Sequence, residues 1–297
     1  MVGLDYLNIL TEGELKRYTM VVMRDFAINS QKKWGQNFVI KKQVIDALLS
    51  HAHVKSTDTV VEVGGGLGTL TYFLLQECHD VILYEIDPFL VNILIKLFFS
   101  YNNHLKLIAK DFLTEIIPPH QKIIANLPYS ISSPFIRKVS DMESPPEIIA
   151  ITVQNEFANH LCAQPGDSAY SRISVFSSFF YQFDTHESFS ASAFHPRPKV
   201  QSSIVVGLRR KEYPPEVRDP TFFPFLTNLF CRKHRKVKNN LAVYRKQIPP
   251  TNRSAFKREI TKLDYSSTQS INLSPRQILD LYLQFREITA TFAVSPH

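Results

Sequence analysis

Apolar and polar positions along the middle of the chain switch repeatedly between a two-residue and a helical period. Thr59–Val63 (TVVEV) is a short β-branched run stopped by glycines and reads as a strand. Leu67–Gln76 then spaces its apolar residues as a helix does. Val81–Ile86 (VILYEI) is a second strand, and Asp87-Pro88 opens a helix, with Asp as N-cap and Pro in the first turn. Leu105–Ala109, Lys122–Ala125 and Ile148–Val153 supply three more strands. Strands alternating with helices predict a mostly parallel sheet covered on both faces, the α/β class. Such sheets bind ligands at the carboxyl ends of their strands, and each motif described below falls at one of those ends.

The last third has a different pattern. After a late strand, Lys199–Arg209, the segment Tyr213-Pro214-Pro215 reads as a linker. Beyond it, residues 220–230, 254–262 and 274–285 carry apolar residues at helical spacing. The predicted organisation is an amino-terminal extension over 1–30 with no assigned role, an α/β domain over 31–210 and a small all-helical domain over 211–297.

Composition narrows the class. With 297 residues, 44 % apolar and 21 % charged, the chain is long enough for a sizeable core and too apolar to be mostly disordered. Nine glycines and no fixed-period repeat exclude collagen-like and repeat architectures. Cys78, Cys162 and Cys231 stand far apart without a CxxC pair, so neither a zinc site nor a disulfide framework is expected, and a reducing compartment, the cytoplasm, is. The most apolar run, Phe89–Phe99, is short and broken by Asn92 and Lys96, so no membrane span is expected. Asp5, Glu12 and Glu14 argue against a signal peptide or a mitochondrial presequence. The net charge of +7 is unevenly placed: residues 211–297 carry +8 and residues 1–210 carry −1. A neutral body with a basic end suggests a polyanionic partner, most simply nucleic acid; the alternative is a basic domain with no such partner.

Glu62-Val-Gly64-Gly-Gly66-Leu-Gly68 follows the first predicted strand. Glycines let the backbone turn sharply and approach a ligand. The pattern is GxGxG, not the GxGxxG of dinucleotide binders or a phosphate loop, and alone it reads equally as a structural turn. Glu85, 21 residues after Gly64 and at the end of the next strand, adds a carboxylate able to accept both hydroxyls of a ribose. Asp111 follows the third strand and can accept from an adenine amino group, although such an Asp is more often a helix N-cap. Asn126-Leu127-Pro128-Tyr129 ends the fourth strand. The Asn126 side-chain oxygen and the Leu127 carbonyl, its direction fixed by Pro128, can converge as two acceptors for an exocyclic NH₂. Tyr129 offers a face for stacking a base.

With Gly35-Gln36-Asn37-Phe38, Tyr84-Glu85-Ile-Asp87, Lys110-Asp111-Phe112, Asn126-Leu-Pro-Tyr129-Ser-Ile-Ser-Ser-Pro134, Ala193-Phe194-His-Pro196-Arg-Pro198-Lys199-Val-Gln-Ser202 and the basic run Cys231–Asn240 (CRKHRKVKNN), the chain resembles the S-adenosylmethionine-dependent rRNA adenine N6-dimethyltransferases. The similarity runs from about Lys32 to about Leu241 and is to the branch that dimethylates two adjacent adenosines near the 3′ end of small-subunit rRNA. It implies a Rossmann-like class I methyltransferase sheet, with S-adenosyl-L-methionine as cofactor and small-subunit rRNA or an assembling small subunit as partner. Gln36, Asn37 and Val39 would close over the methionine end of the cofactor. Gly64 and Gly66 would lie under it, Glu85 would hold the ribose and Asp111 the adenine. Asn126 would face both cofactor and target amine, with Leu127 as second acceptor, and Tyr129 and Phe194 would sandwich the target adenine. Arg232, Lys233, Arg235, Lys236 and Lys238 would grip the RNA backbone, the alternative for this run being a solvated helix face.

Two related activities stay open: methylation of a single large-subunit rRNA adenine, as in macrolide resistance, and a nucleic-acid-binding relative without catalysis. DNA adenine and glutamine methyltransferases usually carry proline where Leu127 stands. His51, His53, His79, His160 and His186 have no partner at metal-ligand spacing, so no metal is expected. Trp34 is expected beside the lid, Cys162 as a small helix residue, and Phe176, Phe179, Phe180 and Tyr181 in a core. A monomer is expected.

Overall fold

The computed structural model describes residues 2–11, 14–28 and 36–292. The chain divides into two compact units, Met1–Ala158 with Phe183–Arg209, and Asn159–Gln182 with Arg210–His297.

In chain order the strands are β1 (Phe38–Val39), β2 (Thr59–Val63), β3 (Asp80–Tyr84), β4 (Leu105–Ile108), β5 (Lys122–Asn126), β6 (Ile148–Gln154), β7 (Tyr181–Phe189), β8 (Phe194–His195) and β9 (Ser202–Arg209). The helices are α1 (Val2–Thr11), α2 (Leu15–Asp25), α3 (Lys42–Ala52), α4 (Thr69–Glu77), α5 (Pro88–Leu97), α6 (Ser132–Ser140), α7 (Asn155–Cys162), α8 (Arg172–Phe180), α9 (Phe222–Leu229), α10 (Val237–Leu241), α11 (Arg253–Lys262) and α12 (Pro275–Thr291).

Seven strands form one sheet in the order β4-β3-β2-β5-β6-β9-β7. Pairing is parallel from β4 through β6 and antiparallel between β6 and β9. The connections run outward in one direction from β2 to β3 and β4 and in the other from β5 to β6. The carboxyl ends of β2 and β5 therefore flank the topological switch point, where such sheets leave a crevice. β1 and β8 form a separate antiparallel pair, Val39 opposite Phe194.

The five expected parallel strands are all present, and their ends differ for identifiable reasons. The helix expected from Leu67 begins at Thr69, because Gly68 takes φ +80° and Leu67 remains in the loop. The second parallel strand stops at Tyr84, because Glu85 turns to accept from nearby main-chain amides. The late strand begins at Ser202, opposite Gln154, beyond which its partner has become α7. Asp87 caps α5 by accepting from Phe89 N at 2.9 Å, with Pro88 in the first turn.

The amino-terminal residues, which carried no motif, form two packed helices. Leu7, Leu10, Leu15, Tyr18 and Val22 join the same core as Val60, Leu67, Leu83 and Phe38.

The second unit is helical apart from the start of β7, and it takes Asn159–Gln182 as well as the chain after Arg209. The sequence division counted 159–182 with the α/β domain. The reassignment follows from aromatic packing: Phe176 lies edge-on to Phe223 at 5.1 Å and Phe180 packs on Tyr213 at 4.8 Å. Tyr213, read as a linker residue, is thus a packing residue. Phe176, Phe180 and Tyr181 are buried, as expected for core residues. A capping box between Ser274 and Gln277 starts α12. Among the described residues, no helix is long and apolar enough to cross a membrane.

Candidate active site

A cavity of about 270 Å³ opens at the carboxyl ends of β2, β3, β4 and β5. Of the residues singled out in the sequence, Gln36, Asn37, Gly64, Gly66, Glu85, Asp111, Asn126, Leu127 and Tyr129 line it. They come from five separate segments, and the sheet order is what brings them together. Trp34 and Gly35 lie outside the described residues.

The floor is the glycine loop. Gly66 has φ +54°, and a Cβ there would lie 3.3 Å from the Phe38 ring. Only glycine gives this close approach of loop to lid strand without strain. Glu85, 5 % exposed, accepts from Gly66 N through Oε2 and from Asp87 N through Oε1, both at 2.9 Å. Burial raises its carboxyl above the usual range, opposed by those two amides. Each oxygen keeps a lone pair, so the group can accept from two adjacent hydroxyls.

Glu62 lies fully buried under the loop and accepts from the Thr71 hydroxyl at 2.7 Å. Burial pushes its carboxyl well above the ordinary value, and the nearby Glu85 adds to the rise. A carboxyl raised in the folded state binds its proton more tightly there than in the unfolded chain, so it loses stability as pH rises from the unfolded value toward the folded one. Glu62→Gln keeps an acceptor for Thr71 and removes the titration. Its Tm is expected to exceed the parent's by a gap that widens as pH rises, about 2–4 °C for each kcal/mol. A gap that stays constant from acid to neutral pH in a thermal-melt series would refute this.

Asp111 caps a turn and not a helix, since no helix follows it. Its Oδ1 accepts from Leu113 N at 2.9 Å, capping the local turn, while the residue lines the cavity. Beside it, Tyr84 and Phe112 meet edge to face at 5.5 Å and make an aromatic wall.

Asn126 ends β5 and is held at both side-chain atoms. Nδ2 donates to the Asn37 carbonyl at 2.8 Å, and Oδ1 accepts from the Thr152 hydroxyl at 2.5 Å. Thr152 is fully buried on β6, opposite Asn126 in the parallel register. Sequence reasoning missed it because a threonine inside an apolar strand looks like filling. Tyr129 forms a hydrogen bond with Ser202 on β9 at 2.6 Å, and burial raises its phenol. The phenol end is thus fixed while the residue borders the cavity.

The other predicted site residues lie as follows. Phe194 is not on the cavity wall: it is 2 % exposed, belongs to the hydrophobic core and pairs with Val39. Its position on β8 holds it opposite β1. Val39 lines a smaller space under the loop, beside Leu67 and Thr69. Gln36 turns its amide to Asp87 Oδ2 at 3.0 Å, so it ties the lid to the start of α5.

In the helical unit the basic run is mostly a turn. Residues 231–234 form turns and 235 a bend, Lys236 bridges to Gln269, and α10 starts only at Val237. Arg232, Arg235 and Lys236 are exposed and Lys238 is half-buried. Lys233 is spent on structure, since its ammonium donates to the carbonyls of Ser168 and Tyr170. The turn is held by Asn240, 3 % exposed, which donates to Leu229 O, Arg232 O and Ser270 Oγ.

At the opposite ends of the strands, His79, Asp80 and His104 come together on the surface. His79 therefore has neighbours that its sequence position did not suggest. The Asp80 carboxylate lies 2.9 Å from His79 Nδ1, and His104 Nδ1 lies 3.1 Å from the His79 carbonyl.

Residues 27–282 match the family model described as ribosomal RNA adenine dimethylase. A ribosomal RNA small subunit methyltransferase A of Dehalococcoides mccartyi is 34 % identical over 229 residues, covering 74 % of this chain and 77 % of that protein. The protein of the same name from Treponema denticola is 33 % identical over 223 residues, covering 73 % and 76 %. Among solved structures, a dimethyladenosine transferase from Plasmodium falciparum superposes with a TM-score of 0.71 at 26 % identity, covering 84 % of this chain and 98 % of that one. A 23S rRNA methyltransferase shares the fold with a TM-score of 0.60 at 24 % identity, covering 84 % of this chain and all of the other.

Proposed function

Because the chain belongs to the ribosomal RNA adenine dimethylase family, we propose that it transfers methyl groups from S-adenosyl-L-methionine to N6 of two adjacent adenosines near the 3′ end of small-subunit rRNA, giving N6,N6-dimethyladenosine. The observation that carries this reading is the meeting of Asn126, Leu127 and Tyr129 with Glu85 and Asp111 around one cavity.

The donor set suits the cofactor. A buried carboxylate for two hydroxyls, an acid for an amino group, aromatic side walls and a glycine floor match a nucleoside with a polar tail. Glu85 would hold the ribose, Asp111 the adenine amine, and Gly64 and Gly66 would let the backbone approach the amino-acid end. When bound, the cofactor supplies an electrophilic sulfonium methyl group.

The protein's own task is placement. Adenine N6 is a poor nucleophile because its lone pair is spread into the ring. Asn126 Oδ1 and the Leu127 carbonyl accept from the amine and favour a localised lone pair. Thr152 holds Asn126 in the required orientation, with one Oδ1 lone pair left for the amine. No strong general base is needed, since the alkylated nitrogen is acidic and loses its proton to water. After the first transfer N6 keeps one hydrogen, so the base must turn in the pocket before the second. Tyr129 alone is assigned as the stacking face, and one face restrains a base without preventing that rotation.

The helical unit is assigned to RNA. With Arg232, Arg235 and Lys236 changed together to Ala, the slope of log affinity against log salt is expected to fall by about 2, as three lost phosphate contacts require. Lys233→Ala should lower Tm and leave that slope unchanged, because Lys233 is occupied by main-chain carbonyls. Equal slopes for the triple variant and the parent in filter binding would remove the run from the RNA interface.

We place the protein in the cytoplasm as a monomer acting on rRNA or an assembling small subunit; the reduced cysteines Cys78, Cys162 and Cys231 suit a reducing compartment. The deciding experiment incubates pure protein with labelled S-adenosylmethionine and small subunits lacking the modification, then identifies the nucleosides by mass. N6,N6-dimethyladenosine at two adjacent positions near the 3′ end supports the reading. Label confined to large-subunit rRNA, assayed in parallel, overturns it.

A further inference from the structure

Helices α1 and α2 precede the family match, which begins at residue 27, and the reaction gives them no task. Their packing is nevertheless directed at the cofactor site. Tyr18 on α2 is fully buried and its hydroxyl donates to the Leu67 carbonyl at 2.6 Å. Thr11 at the end of α1 forms a hydrogen bond with the Tyr72 hydroxyl on α4 at 2.7 Å. Burial pushes the Tyr18 phenol far above its ordinary value, so it stays a neutral donor.

Leu67 sits between Gly66 and Gly68 in a loop where Gly64, Gly66 and Gly68 all have positive φ. Such a loop gains its shape from ties to its surroundings, because glycines restrict their own backbone least. From within, Gly68 N donates to Gly65 O, and on the sheet side Gly64 N donates to Tyr84 O, both at 2.8 Å. From the sheet, Glu85 holds Gly66 N. From outside, Tyr18 holds Leu67 O.

We infer that Tyr18 is a positioning residue for the cofactor loop, and that the amino-terminal helix pair is a brace that sets the loop before the cofactor arrives. The inference rests on the methyl-transfer reading of that loop. Without the phenol hydroxyl, the Leu67 carbonyl loses a buried donor and the peptide units around it gain freedom. Cofactor binding must then order a loop that the brace had already ordered, which weakens affinity without touching the reacting atoms. Thr11, by contrast, ties the extension to the body of α4 and not to the loop.

The test uses the full chain and Tyr18→Phe, which keeps the packed ring and removes only the hydroxyl. Three quantities are read: S-adenosylhomocysteine affinity by calorimetry, amide hydrogen exchange over residues 64–68 without ligand, and steady-state kinetics. The expected result is a Kd raised about 3- to 10-fold, the change for losing one buried hydrogen bond. Gly66 and Gly68 amides should exchange faster, the cofactor KM should rise, and kcat should change less than twofold. Thr11→Val should lower Tm with the loop exchange and the Kd unchanged. If Tyr18→Phe matches the parent in Kd and loop exchange, whatever its Tm, the inference is overturned. A parent protein that fails to bind S-adenosylhomocysteine overturns the cofactor reading itself, and this inference with it.

Discussion

Asn126→Ala is expected to lower kcat by about 10²- to 10³-fold, the usual consequence of removing one positioned hydrogen-bonding group from a reacting centre. Affinity for S-adenosylhomocysteine should change only a few-fold. The split follows from what Asn126 touches. Its Oδ1, steered by Thr152, is proposed as one of two acceptors for the target amine. Its Nδ2 fastens the Asn37 carbonyl on the lid. Alanine removes both, so the amine loses its orienting acceptor and the lid loses a tie. The ribose and adenine contacts, assigned to Glu85 and Asp111, are untouched. Single-turnover rates at saturating cofactor measure the effect directly. A loss under fivefold would mean that Asn126 is a scaffold residue and that the amine is oriented elsewhere. Thr152→Val should share the defect in weaker form, since it leaves Asn126 in place and removes only its guide.

Glu85→Ala should act on the other side of the split. A carboxylate accepting two hydroxyls makes charge-assisted bonds, each worth about 1.5–3 kcal/mol. Losing both predicts a Kd for S-adenosylhomocysteine raised about 10²-fold or more. The same change removes the partners of Gly66 N and Asp87 N, so the loop loosens in the same direction. Glu85→Gln should fall between, because one amide oxygen still accepts. Calorimetry on both variants is decisive: a loss below tenfold for the alanine variant would remove Glu85 from the ribose contact.

Local signals made much of this site legible in the sequence. The parallel strands announced themselves by β-branched runs. The glycine loop, Glu85, Asp111 and Asn126-Leu-Pro-Tyr129 each sit at the end of such a run or just beyond it, and a parallel sheet gathers those ends automatically. What escaped notice depends on distant pairing. Thr152 matters because β6 lies beside β5 in a register that opposes it to Asn126. Tyr18 matters because of a bond across 49 residues, and nothing in the amino-terminal sequence marks it. Lys233 looked like its basic neighbours until the carbonyls of Ser168 and Tyr170 proved to occupy it. Phe194 carried a family motif, and its burial in the core opposite Val39 was not legible from it. The helical unit's claim on 159–182 was hidden because aromatic side chains, not chain order, decide which core they join.

Two of the ties described above end on main-chain carbonyls, Leu67 O and Asn37 O. A carbonyl is present whatever residue occupies the position, so neither tie constrains the identity of its acceptor. The donors have no such freedom: position 18 must supply a long hydroxyl-bearing side chain, and position 126 an amide. Heredity therefore weighs on one end of each bond only. The lid and the loop can drift in sequence while keeping these holds, and the inheritance of the site's shape is written in helix α2 and strand β5 more than in the segments that close around the ligand.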